Sequence, residues 1–145
     1  MKRRANALWK GSLTEGQGQL STQSGAFENV PYSFKGRFQD ESGQSGTNPE
    51  ELIAAAHAGC FAMQLSHFLA ENGTTADTLE VHSEITYGPA AGGGFEITES
   101  ALTLTAKVPG IDEAKFKELA EKAKAGCPVS KALGAIKVTL EARLA

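Results

Sequence analysis

The sequence predicts an α+β fold from three observations: one sharply marked helix start, two long alternating runs joined by a glycine turn, and a closing strand that follows a second helix. The helix start is Thr47-Asn48-Pro49-Glu50-Glu51. There Asn48 can cap, Pro49 fits the first helical position, and two acids favour the positive end of the helix dipole. The helix is expected to run to about residue 71, ahead of the stop signal Asn72-Gly73. Upstream, β-type runs at 7–10, 19–23 and 31–38 alternate with turn-formers such as Ser24-Gly25 and Glu28-Asn29, which predicts an antiparallel meander. Tyr32 and Phe34 alternate on its third strand, and a polar loop at 39–46 delivers the chain to the helix.

Downstream, the runs 80–87 and 95–108 flank a glycine turn at 92–94 and read as a hairpin. Asp112 then caps a second helix, with Ala114, Phe116, Leu119, Ala120 and Ala123 on its apolar side and lysines outward; it stops at Gly126. Cys127-Pro128 opens a short third helix through about residue 133, and 135–144 closes the chain as a strand alternating Ile136, Val138, Leu140, Ala142 and Leu144.

The long helix carries Leu52, Ile53, Ala54, Ala55, Ala56, Ala58, Phe61, Ala62, Met63, Leu65, Phe68 and Leu69, which cover nearly every angular sector. A helix apolar all round is expected to be buried all round. A chain of 145 residues has an expected radius of roughly 15 Å, too small to wrap such a helix alone, so a second subunit is expected to supply part of the cover.

Composition narrows the function. The 145 residues fit one domain, 1–145, without internal repeats or linkers. With 14 basic against 17 acidic side chains the net charge is −3, which disfavours nucleic acid, because phosphate binding needs a strong basic patch. No run of 18 or more apolar residues is present, so no membrane span is expected. The start, Met1 to Gly11, has a basic cluster without the apolar stretch of a secretory signal, and a cytoplasmic location is expected. In that reducing compartment the two cysteines, Cys60 and Cys127, would pair only transiently.

Taken locally, Cys60 reads as a small hydrophobe in an apolar helix. Cys127, in Gly126-Cys127-Pro128-Val129-Ser130, sits at a helix start where unpaired backbone N–H groups favour a thiolate, so this local argument makes Cys127 the more acidic thiol.

Three segments carry more. Arg37-Phe38 followed by Thr47-Asn48-Pro49-Glu50-Glu51-Leu52, then Ala55-Ala56-His57-Ala58-Gly59-Cys60-Phe61, and finally Ala123-Lys124-Ala125-Gly126-Cys127-Pro128-Val129-Ser130 closely resemble the OsmC/Ohr family of organic hydroperoxide reductases, the OsmC branch in particular. Trp9-Lys10-Gly11 and Val108-Pro109-Gly110-Ile111-Asp112 extend the resemblance over essentially the whole chain. The resemblance implies a single OsmC-like domain in which antiparallel β-sheets pack around a central buried helix, assembled as an intertwined homodimer. It implies a thiol peroxidase without metal or flavin. Cys60 would be the peroxidatic thiol, Cys127 the resolving thiol, and Arg37 with Glu50 the pair that activates Cys60; this overrides the local preference for Cys127. It further implies an organic hydroperoxide substrate and an external dithiol reductant of lipoyl type. The apolar helix and Phe38, Phe61, Met63 and Phe68 are candidate contacts for a bulky peroxide, although all four fit a core equally.

Spacing limits what Glu50 does. At ~1.5 Å of rise per residue it lies ~15 Å along the helix from Cys60, so its expected task is to orient Arg37.

Other chemistries fit the same residues less well. His57 and Cys60 share a helical face and, with Cys127 and His67 or His82, offer zinc ligands, but no CxxC or HxxxH spacing supports a metal site. His57 beside Cys60 would also suit a cysteine-dependent hydrolase. A non-catalytic binding protein with two inert core cysteines is the remaining alternative.

Overall fold

A computed structural model describes residues 1–145. The chain forms two compact units, Met1–Leu52 and Ile53–Ala145.

In the first unit, β1 (Ala5–Lys10), β2 (Gln17–Thr22) and β3 (Val30–Ser33) form an antiparallel sheet in the order β1-β2-β3. Gly18 faces Trp9 on one side and Tyr32 on the other. A Cβ there would come within 2.2 Å of the Tyr32 ring, so the absence of a side chain lets the Trp9 and Tyr32 rings approach to 5.4 Å between centroids.

The expected strand 31–38 is cut short. The Ser33 hydroxyl accepts the Gly36 N–H at 3.0 Å and caps a one-turn helix, α1 (Phe34–Phe38). A capping hydroxyl offers the backbone a helical alternative that the β-type composition does not reveal. Phe34 therefore stacks on Phe38 one turn later, with centroids 4.9 Å apart, rather than alternating with Tyr32 along a strand. The loop that follows is pinned at two places. The Asp40 carboxylate accepts from Ser42 and Ser45, which holds it well below the usual carboxylate range. Gly46, at a φ of +109° that glycine alone adopts freely, passes so close to the Pro31 carbonyl that a Cβ would stand 2.8 Å from its oxygen.

The long helix, α2 (Pro49–Glu71), begins as expected: the Asn48 side-chain oxygen accepts the Glu51 N–H at 2.8 Å. Its end is a Schellman motif, in which Gly73 N–H donates to Ala70 O, Thr74 N–H donates to Leu69 O, and Gly73 has a φ of +77°.

In the second unit, β4 (Thr78–Pro89) and β5 (Phe95–Lys107) form the expected hairpin, turning through Gly93 and Gly94, both at positive φ. Asp112 caps α3 (Glu113–Gly126) by accepting the Lys115 N–H at 2.9 Å. Phe116, Leu119, Ala120 and Ala123 are buried; Ala114, expected beside them, faces solvent because it lies in the exposed first turn. Cys127 ends α3 and begins α4 (Pro128–Ala132). The closing strand β6 (Lys137–Leu144) lies beside β5, in the order β4-β5-β6.

One expectation changes here: β6 runs parallel to β5, so this sheet is not wholly antiparallel. The intervening α3 and α4 carry the chain back to the starting end of β5, as a parallel pair requires.

The core of this unit is made by Phe61, Leu65 and Leu69 of α2, Leu102, Leu104 and Ala106 of β5, and the buried face of α3. Beyond its first turn, the buried residues of α2, His57, Phe61, Leu65 and Leu69, recur every four positions, a single stripe rather than burial on all sides. Ala55, Ala56, Gly59 and Met63 are exposed in the single chain, Met63 at 77%. Although no unbroken apolar run exists, α2 has the length and composition of a membrane-crossing helix. Its buried stripe is committed instead to the core, and His57, Gln64, Ser66 and His67 interrupt its apolar character.

Candidate active site

The second unit brings the two cysteines together. Cys60 lies on α2 and Cys127 at the junction of α3 and α4, and their sulfurs are 2.8 Å apart and unbonded. Cys127 is fully buried, whereas Cys60 is partly accessible. That asymmetry suits a first thiol that meets a substrate and a second that meets only the first.

Local electrostatics hold the Cys60 thiol above its ordinary pKa. Burial pushes its thiol pKa up and the adjoining Cys127 thiol adds to this, while the backbone N–H of Val129, in the first turn of α4, favours the thiolate. The helix-start N–H expected to serve Cys127 thus serves Cys60, and Cys127 makes no side-chain capping bond. A cysteine at a helix N-cap does not receive the first-turn donors when its side chain points away from them.

A polar network lies one turn away from the sulfurs. His57 is completely buried, and its two ring nitrogens each contact a serine hydroxyl at 2.7 Å: Nδ1 with Ser100 on β5, Nε2 with Ser130 on α4. Ser83 of β4 stands 3.4 Å behind Ser100. Burial pushes the His57 pKa down, so the ring is neutral, donating from one nitrogen and accepting at the other. Sequence reasoning weighed His57 only as a metal ligand or base for Cys60. Its partners are serines 43 and 73 positions away, which helical spacing cannot reveal. Both nitrogens being occupied, His57 has no lone pair for the Cys60 proton or a metal, and no group of three or more His, Cys, Asp or Glu residues is placed to hold a metal ion.

In the first unit, Arg37 and Glu50 form a two-pronged ion pair, Nε to Oε2 at 3.1 Å and Nη2 to Oε1 at 2.7 Å. Glu50 is almost wholly buried, while the Arg37 side chain keeps 36% exposure. The last turn of α1 presents Arg37, and its guanidinium lies 4.8 Å from the centre of the Phe38 ring. Trp9, Leu13, Tyr32, Phe34, Arg37 and Phe38, with Ser33, line a mostly apolar cavity of about 260 Å³.

Of the residues considered for substrate contact, Phe38 lines this cavity and Met63 is exposed on α2. Phe61 is fully buried in the second unit's core and Phe68 packs against it, so Phe61 has no surface with which to meet a ligand.

An α+β fold that juxtaposes two unbonded cysteines across a helix junction defines a dithiol protein. The chain belongs to the OsmC family: the family model described as "OsmC-like protein" matches residues 41–141. It is 44% identical over 142 residues to Peroxiredoxin OsmC of Escherichia coli, covering 98% of this chain and 96% of that one. It is 37% identical over 103 residues to the organic hydroperoxide resistance protein OhrB of Bacillus subtilis, covering 70% of this chain and 73% of the relative. The crystal structure of B. subtilis OhrB superposes with a TM-score of 0.72 at 30% identity, over 97% of this chain and 98% of that one. An OsmC-like protein of unknown function from Vibrio cholerae shares the fold, with a TM-score of 0.78 at 14% identity over 99% of both chains.

Proposed function

We propose that this protein is a thiol-dependent peroxidase that reduces organic hydroperoxides to alcohols. The observation that carries the reading is the 2.8 Å separation of the Cys60 and Cys127 sulfurs. The Cys60 thiolate attacks one peroxide oxygen, the O–O bond breaks, and the alkoxide leaves as alcohol once protonated, with Cys60 oxidised to sulfenic acid. Cys127 then attacks the Cys60 sulfur: the S–S bond forms, the S–O bond breaks, and the hydroxyl departs as water with the Cys127 proton. An external dithiol, of lipoyl type by family resemblance, reduces the disulfide. Sulfur carries every redox step, so the cycle needs no metal or flavin.

Arg37 is assigned the activation of Cys60, with Glu50 holding its guanidinium. Thiolate population alone accounts for little of the rate. A thiol of pKa ~8.5 is about 3% ionised at pH 7, and lowering the pKa by ~2.5 units raises that roughly 30-fold. The accompanying loss of nucleophilicity is about 10- to 18-fold. The larger gain comes from holding the peroxide in line and stabilising charge on the departing oxygen, which a fixed guanidinium fork does. The apolar cavity beside Arg37 supports bulky organic hydroperoxides over hydrogen peroxide as substrates. The exposed Ala55, Ala56, Gly59 and Met63 face of α2 supports a homodimer, and a cytoplasmic location belongs to the same reading.

The test is peroxide consumption with dihydrolipoamide as reductant. Cys60→Ser is expected to abolish turnover; Cys127→Ser is expected to complete one turnover and stall. Sustained turnover by Cys60→Ser would overturn the reading. A hydrolase mechanism has no support here, because His57 addresses two serines and not Cys60.

A further inference from the structure

We propose that His57 is the positioning residue for disulfide closure: by bonding Ser130, it clamps α4 to α2 and so sets the reach of the Cys127 sulfur to Cys60. The reading of the cysteines as a peroxidatic and resolving pair gives the clamp its purpose.

The geometry is a two-rung ladder. Cys60 lies three residues after His57 on α2, and Ser130 lies three residues after Cys127 on α4. The sulfur contact at 2.8 Å and the His57 Nε2 to Ser130 Oγ contact at 2.7 Å therefore join the same two segments, about one turn apart. The sulfur rung is made and broken in each cycle; the imidazole–hydroxyl rung contains no redox-active atom and persists. Val129, whose N–H acts on Cys60, lies between Cys127 and Ser130, so the clamp holds that donor too.

A helix of five residues needs such an anchor, because one turn is not stable on its own. Ser130 is the buried residue of α4. The other end of the ring is fixed equally firmly, since Nδ1 bonds Ser100 on β5, backed by Ser83 on β4. No buried side-chain polar atom in the network is left without a partner. Breaking either contact strands a buried polar group, so the ring has one well-defined place to sit.

Closure competes with a second peroxide for the Cys60 sulfenic acid; a misplaced Cys127 loses that race and Cys60 goes on to sulfinic acid. The discriminating variants exploit amide geometry. His57→Asn puts its amide where Nδ1 was, keeping Ser100 and releasing Ser130. His57→Gln reaches the Nε2 position and keeps Ser130. Ser130→Ala removes the rung while leaving the ring in place.

Rapid mixing with cumene hydroperoxide separates Cys60 oxidation from closure, and mass spectrometry counts sulfinic acid. Ser130→Ala and His57→Asn are expected to slow closure by about ten- to a hundred-fold and to raise sulfinic acid per turnover. His57→Gln is expected to close at near the wild-type rate. In parallel, titration of the reduced proteins against glutathione disulfide forms the same Cys60–Cys127 bond with release of two glutathione thiols, and the effective concentration of Cys127 toward Cys60 is expected to fall in the first two variants only. This second measurement needs no peroxide, so absence of peroxidase activity in the wild type would defeat the proposed function and leave the clamp to be judged by the titration. Closure and titration unchanged in folded Ser130→Ala, or His57→Gln as impaired as His57→Asn, would overturn the clamp. Circular dichroism and melting curves identify variants that are folded; if Ser130→Ala is not, His57→Asn read against His57→Gln decides the question, since only the first loses the contact to Ser130.

Discussion

The backbone N–H of Val129 acts on Cys60, although the helix that carries Val129 is capped by Cys127. The two thiols therefore share one helix start but divide its benefits: Cys60 receives the donor, and Cys127 receives burial and a direct line to the Cys60 sulfur. The donor that the local sequence offers to Cys127 is thus directed at Cys60.

The Arg37–Glu50 pair is expected to be intolerant of charge-conserving change. Arg37→Lys keeps the positive charge and loses the two-pronged contact through Nε and Nη2. The peroxidase rate constant should fall by about tenfold or more beyond what the change in Cys60 ionisation accounts for. Thiolate absorbance and peroxide kinetics on the same variant check this, and matched losses would contradict it.

Burial of His57 has a stability consequence whose sign follows from its depressed pKa. Below its ordinary value of 6.5 the unfolded chain binds a proton that the folded chain refuses, so stability is full above about pH 6.5 and declines as pH falls toward the folded value. Asp40 and Glu113, both held below their ordinary carboxylate values, add their losses only at lower pH. Urea midpoints between pH 7.5 and 5 should fall for the wild type and fall less for His57→Gln, which has no imidazole to protonate.

Phe61 and Met63, two residues apart on α2, are expected to behave oppositely. Phe61→Ala empties a fully buried site and should cost about 3 to 5 kcal/mol of stability. Met63→Glu alters a side chain 77% exposed in the single chain and should change the stability of that chain by less than about 0.5 kcal/mol. If a second copy covers this face, Met63→Glu weakens self-association, which sedimentation over a range of concentrations will read.

Several elements were readable without coordinates because their signals are local. Asn48-Pro49 starts α2, Asn72-Gly73 ends it, Asp112 starts α3, and Gly93-Gly94 turns the hairpin; in each case a side chain or a glycine acts on backbone within a few positions of itself. Phe34–Phe38 went the other way, since its aromatic, β-type composition concealed the capping role of Ser33. The parallel pairing of β6 with β5 was equally hidden, because alternation fixes which face a side chain takes and not the direction of the neighbouring strand.

By itself the chain's order of residues determined the caps and the helical and strand periods, and motif resemblance singled out Cys60, Cys127, Arg37 and Glu50 as candidates. Only the tertiary structure decided what each of them touches: Cys60 meets Cys127 across 67 positions, His57 meets Ser100 and Ser130 rather than a thiol, and Arg37 closes on Glu50. The reason is physical. Propensity and capping are short-range, set by bonded neighbours and one turn of backbone, whereas a hydrogen bond or thiol contact between distant segments exists only after apolar burial has packed their elements together.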